Sequence, residues 1–103
     1  MNRALGMLGL CARAGKLVSG EKAVVQLIRA GGACAVLLDG GAAGNAVKAV
    51  TQACQTHGAP LIVTAPGALG EAIGRDGRMA AAITDARMAA RVIELYRSQS
   101  PAE

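Results

Sequence analysis

The apolar positions of this chain fall into short clusters whose spacing alternates between helical and strand-like. Leu5, Leu8 and Ala12 share one face of a predicted helix over residues 3–14, which Gly15 ends. Lys16–Val18 reads as a very short strand. Ser19 then stands as an N-cap, and Ala23, Leu27 and Ala30 follow at helical spacing up to Gly31-Gly32. "CAVLLD" (34–39) is an apolar run of the buried-strand type. "GNAVKAVTQACQTHG" predicts a helix with Val47, Val50 and Cys54 inward, closing at Gly58. "PLIVTA" (60–65) is the next strand, and Pro66 suits the first turn of a helix that runs to Ile73 and stops at Gly74. "RMAAAIT" (78–84) is a further strand, and Asp85–Arg97 the last helix.

Strands that alternate with helices predict an α/β protein, a three-layer α/β/α sandwich around a parallel or mixed sheet. No linker or repeat interrupts the pattern. One domain over 1–97 is expected, with 98–103 as a frayed tail.

Composition narrows the core and the partner. Tyr96 is the single aromatic residue of 103, so the core must be built from Leu, Ile, Val, Met and closely packed Ala. The same scarcity argues against holding single-stranded nucleic acid by stacking bases on exposed rings. The net charge is +4, and residues 1–33 carry all of the excess: Arg3, Arg13, Lys16, Lys22 and Arg29 against Glu21. A local positive excess of this kind suits a polyanion.

Cys11, Cys34 and Cys54 are odd in number, widely spaced and without a C-x-x-C pair. That fits a reducing cytoplasm better than a disulfide framework or a zinc site, and no metal or cofactor is expected. "MNRALGMLGLCARA" imitates a secretory signal, but it is short and carries Arg13 inside the cleavage motif. Ala49–Gly70 is uncharged yet holds Gln52, Gln55, His57, Pro60 and Pro66, which makes it a poor membrane span.

Two constellations imitate catalytic or cofactor chemistry. "VLLDGGAAGNAV" runs strand, glycines, helix like a dinucleotide fingerprint, but Asp39 stands where the pattern needs glycine. A tight strand-to-helix turn with Asn45 near the helix start accounts for it. Cys54 and His57 are three apart on one predicted helix, a spacing that makes neighbours of a nucleophile and a base. Yet Cys54 lies on the apolar face, and a histidine just before Gly58 is favoured by the negative end of the helix dipole.

"GKLVSGEKAV" (15–24) raises a different question. A helix beginning at Gly20 presents N–H groups without internal partners, and together with the dipole these attract an anion. Gly20 lets a ligand backbone approach. Lys22 projects from the first turn, Lys16 lies just before it, and Arg29 lies two turns beyond Lys22. Glu21 suits the dipole but repels phosphate, so it makes more sense beside base edges or amino groups. Spacing alone leaves two readings open: this anion site, or an ordinary capped helix with solvated charges.

The segments "LGLCARAGKLVSGE" (8–21), "IRAG" (28–31), "AVLLD" (35–39), "NAVK" (45–48), "LGEAIG" (69–74) and "AITD" (82–85) keep order and spacing across nearly the whole chain. Together they closely resemble the bacterial YlxQ-like branch of the archaeal and eukaryotic kink-turn-binding ribosomal protein family. The resemblance implies a four-stranded mixed sheet, no enzymatic activity, and binding to a kinked RNA duplex with tandem sheared G·A pairs. It places RNA contacts on Gly20, Glu21, Lys22 and Gln26, where Gln26 replaces a frequent lysine. It places a second contact loop on Gly74, Arg75, Asp76, Gly77 and Arg78, where Arg75 replaces a frequent apolar residue. Lys16, Ser19, Arg29 and Arg78 complete the expected RNA-binding set.

The expected partner is therefore structured RNA, ribosomal or otherwise kinked, with other ribosomal or translation proteins nearby. No DNA and no membrane are expected, and the chain is expected to act as a cytoplasmic monomer. Two other classes stay in view: a protein-interaction module of the same fold with weak RNA affinity, and a small enzyme using Cys54 or the Asp39–Asn45 loop.

Overall fold

The computed structural model describes residues 3–99. Its elements in chain order are α1 (Arg3–Arg13), β1 (Leu17–Ser19), α2 (Glu21–Arg29), β2 (Ala35–Asp39), α3 (Gly44–His57), β3 (Leu61–Thr64), α4 (Ala68–Ile73), β4 (Ala80–Ile83) and α5 (Ala86–Gln99). The four strands form one sheet in the order β1-β4-β2-β3. β4 pairs antiparallel with both β1 and β2, while β3 joins β2 in parallel through the α3 crossover, so the sheet is mixed.

The two central strands decide the layers. Every residue of β2 and β4 is buried, and successive side chains enter opposite faces. Ala35, Leu37, Ala81 and Ile83 meet Leu8 and Cys11 of α1, Leu69 of α4, and Ala89 and Val92 of α5. Val36, Leu38, Ala80 and Ala82 meet Val24 and Ile28 of α2, and Val50, Ala53 and Cys54 of α3. The result is an α/β/α sandwich. Each fully buried Leu, Ile or Val contributes roughly 1.5–3 kcal/mol to holding it. The three alanines of β4 let helices approach closely on both sides, which answers how a core with one aromatic residue fills its space.

The structure revises several local expectations. Ser19 is not the cap of α2: it is the last residue of β1, paired with Ala81, and Gly20 takes the N-cap position with no side-chain hydrogen bond. The buried face of α2 is Val24 and Ile28, one residue on from the expected Ala23 and Leu27. Apolar residues occupy 23, 24, 25, 27 and 28, so spacing alone cannot choose the face; the larger β-branched pair fills the core. Likewise α3 buries Ala46, Val50, Ala53 and Cys54 and leaves Val47 exposed. Pro66 precedes α4 rather than joining its first turn, because Gly67 is the N-cap. α5 continues to Gln99, two residues past the expected end, with Ser98 Oγ donating to the Leu95 carbonyl at 3.0 Å. Residues 100–103 of the expected tail lie outside the described residues.

Candidate nucleic-acid interface

The antiparallel pairing of β1 with β4 brings two distant segments together. β1 ends where β4 begins, so the start of α2 lies beside the end of the loop that precedes β4. The ladder extends one bond past Ser19: the Gly20 N–H donates to the Ala80 carbonyl at 2.9 Å. The chain then turns sharply at Gly20, with φ 104° and ψ 136°, a conformation suited to glycine. The Gly20 carbonyl accepts from Val24 N–H at 2.9 Å and opens the helix. By helix geometry the N–H groups of Glu21, Lys22 and Ala23 have no carbonyl one turn earlier, and no side chain caps them. Glu21, Lys22 and Gln26 are exposed, with Gln26 one turn beyond Lys22 on the same side.

The second segment is shaped by α4. Gly74 ends that helix in the left-handed conformation, and the Arg75 N–H donates to the Gly70 carbonyl at 2.9 Å. Gly70 is needed for this fold-back, since a β-carbon there would meet the Arg75 carbonyl at 2.8 Å. Arg78 N–H then donates to the Arg75 carbonyl at 3.3 Å, closing a turn that leads into β4. Arg75 and Asp76 are exposed, while Arg78 is half-buried. Arg75 and Arg78 share a cleft with Ala12, Leu17, Ser19 and Ile73. Among the described residues neither Lys22 nor Arg75 forms an ion pair, so both charges are available to a ligand.

Of the residues expected from sequence, Ser19, Gly20, Glu21, Lys22, Gln26, Gly74, Arg75 and Arg78 lie on these two segments. Two do not join them. The Lys16 carbonyl accepts from Thr84 N–H at 2.9 Å, at the opposite end of β1, about 13 Å from Gly20 along an extended strand. Arg29 ends α2 about 10 Å beyond Lys22 and lines a depression with Gln52, Thr56 and His57 of α3.

Asp39 has a role that its sequence context did not disclose. It is buried at the end of β2, where Oδ2 accepts from the N–H groups of Gly41 and Gly67, each at 2.9 Å. Oδ1 accepts from Leu69 N–H at 3.1 Å and Thr64 Oγ1 at 3.3 Å. Burial alone would push this carboxyl up. The three amides and the hydroxyl outweigh that effect and hold it below its ordinary value. Each oxygen is committed to the fold, taking one amide from the start of α4 and a second donor from the turn after β2 or the end of β3. An aspartate closing an apolar strand before two glycines was the available signal; its partners at 67 and 69 were not legible.

Among the described residues no cluster of three or more His, Cys, Asp or Glu could hold a metal ion. His57 is exposed while Cys54 is buried. No described helix is long and apolar enough to cross a membrane.

The class of protein follows from this architecture and from comparison with known families. The ribosomal protein L7Ae/L30e/S12e/Gadd45 family matches residues 3–93, and the chain belongs to that family. Among solved structures it is similar to a protein of unknown function from Bacillus halodurans, with 30% identity, a TM-score of 0.89, and coverage of 94% of this chain and 99% of that one. It also shares its fold with a 15.5 kDa RNA-binding protein of Giardia lamblia, at 18% identity and a TM-score of 0.72, over 91% of this chain and 84% of that one. Among curated proteins no sequence matches.

Proposed function

We propose that this protein binds structured RNA bent at a kink, through the first turn of α2 and the loop between α4 and β4. The observation that carries the reading is the junction itself: an uncapped helix start and a loop with two arginines, far apart in sequence, are held on one edge by the β1–β4 ladder. Membership of a ribosomal protein family supports RNA as the polyanion, as does the shared fold of the Giardia RNA-binding protein.

The physical logic selects kinked RNA. A regular A-form helix hides its base edges in a deep, narrow groove. A sharp bend opens that groove to a helix N-terminus. Lys22, exposed on the first turn, donates to guanine acceptors. Glu21 accepts from exposed amino groups, and Arg75 meets phosphate. Lys16 and Arg29, at the margins, reach only the longer arms of a duplex. In this reading the target is ribosomal or another kink-turn RNA, met in the cytoplasm by a monomer that works alongside translation proteins.

Binding rather than catalysis fits the groups that resembled an active site. Asp39 spends both oxygens on the fold. Burial pushes the thiols of Cys11 and Cys54 up, away from the reactive thiolate. A second reading, a protein-interaction module, draws on one observation: Val63 is 59% exposed on β3, an edge strand.

Amide shift mapping during titration with a kink-turn RNA tests the assignment. The largest changes are expected at residues 19–23 and 74–79. Changes centred on β3 and α5 would contradict it and favour the second reading.

A further inference from the structure

Arg78 does not extend freely into solvent. Its Nη1 donates to the Ser19 carbonyl, the last of β1, at 3.4 Å. A β-carbon built on Gly20 would stand 2.7 Å from the same nitrogen, so the guanidinium fills the place a side chain at 20 would take. Among the described residues this is the one side-chain hydrogen bond from the loop to residues 19–23. The nearest backbone bond between the two segments comes two residues later, from Gly20 N–H to the Ala80 carbonyl. A cation at the positive end of a helix is electrostatically unfavourable on its own. The bond is also long for its kind. What seats the group is the combination of that bond with the space left open by a glycine.

We propose that Arg78 is a positioning residue that clips the α4–β4 loop to the start of α2 and so fixes the spacing of the two RNA-contacting segments. Arg75, exposed on the same loop, then carries the phosphate contact. The consequence for RNA rests on the function proposed above, whereas the clip itself does not. Two contact points at fixed spacing favour one backbone shape. The same points on a loose loop fit bent and straight RNA alike. Charge number governs the salt dependence of binding, and geometry governs the preference for a kink.

The test measures binding of the wild type, Arg78→Ala, Arg78→Lys and Arg75→Ala to a kink-turn RNA and a straight duplex of equal length across a salt series. Arg78→Ala is expected to lower the kinked-to-straight ratio roughly tenfold, as for one lost hydrogen-bonded contact, and to leave the salt slope unchanged. Arg78→Lys keeps the charge but not the planar fork, and its ratio is expected to fall between the two. Arg75→Ala is expected to flatten the slope by roughly 0.7–0.9 unit. If Arg78→Ala flattens the slope to that extent, Arg78 is itself a phosphate contact and the proposal is overturned. An unchanged ratio overturns it as well.

A wild type without preference for the kink would remove the proposed function and still leave the clip to be judged. Urea unfolding of Gly20→Ala, in wild-type and Arg78→Ala backgrounds, judges it without RNA. The substitution meets an unsuitable φ in both backgrounds, but only in the first must the flexible end of Arg78 swing aside and give up its bond to the Ser19 carbonyl. Its effect on the unfolding constant is expected to be at least roughly fivefold larger there. Equal effects in the two backgrounds would overturn the clip.

Discussion

The Asp39 carboxylate accepts the Gly67 N–H at 2.9 Å, joining the end of β2 to the start of α4 across 28 residues of chain. With Gly41, Leu69 and Thr64 as its other donors, this one side chain fixes where α4 begins. The loop bearing Arg75 and Arg78 follows six helical residues later. A buried anion thus orients a cationic surface on the far side of a short helix.

Replacing Asp39 by asparagine leaves one acceptor oxygen and turns an amide donor toward backbone donors. The expected cost is about 3 kcal/mol of stability, measured by urea unfolding. The pH dependence has a definite sign. The folded value lies below the unfolded one, so the stabilisation is complete above the ordinary carboxylate range and is lost as pH falls through the folded value. Wild-type stability should therefore decline below about pH 4, and Asp39→Asn should be flatter there. A variant as stable as wild type would show that the carboxylate does not hold α4.

The alternation of elements was legible because glycines stand at or just beyond the ends of α1, α3 and α4, and because β2 is an unbroken apolar run. The inward faces of α2 and α3 were less so. In "EKAVVQLIR" apolar residues cover more than half the helix surface, and only packing against Val36 and Leu38 selects Val24 and Ile28. Ser19 suited a cap by residue type, but strand pairing with Ala81 claimed it first. For the site, spacing showed charges at the start of α2 but left an ordinary capped helix open as well, and the family resemblance supplied the expected contacts. The seat of Arg78 over Gly20 was not legible, because it depends on a ladder between residues more than 60 apart. Lys16 and Arg29 look adjacent to the site in sequence, and the directions of β1 and α2 carry them away from it.

Cysteine chemistry separates a structural from a catalytic role. Cys11 and Cys54 are buried, whereas Cys34 is half-exposed with its Sγ 3.6 Å from the Thr84 carbonyl. Ellman's reagent should modify at most Cys34 in the native protein, and all three residues in denaturant. Fast native modification of Cys11 or Cys54 would contradict their structural assignment.

Lys22 is expected to read a base edge. Lys22→Ala should weaken binding to kinked RNA by roughly 1–3 kcal/mol, and straight duplex by less. Fluorescence anisotropy with both RNAs measures the difference. Equal losses on the two RNAs, with a flatter salt slope, would make Lys22 a phosphate contact instead.

The most direct measurement is a titration of the wild-type protein with a kink-turn RNA beside a straight duplex of equal length, at one salt concentration. An interface built from an open helix start and one cationic loop predicts clearly tighter binding to the kinked RNA. Equal affinity for the two would reduce the surface to nonspecific electrostatics and contradict recognition of a kink.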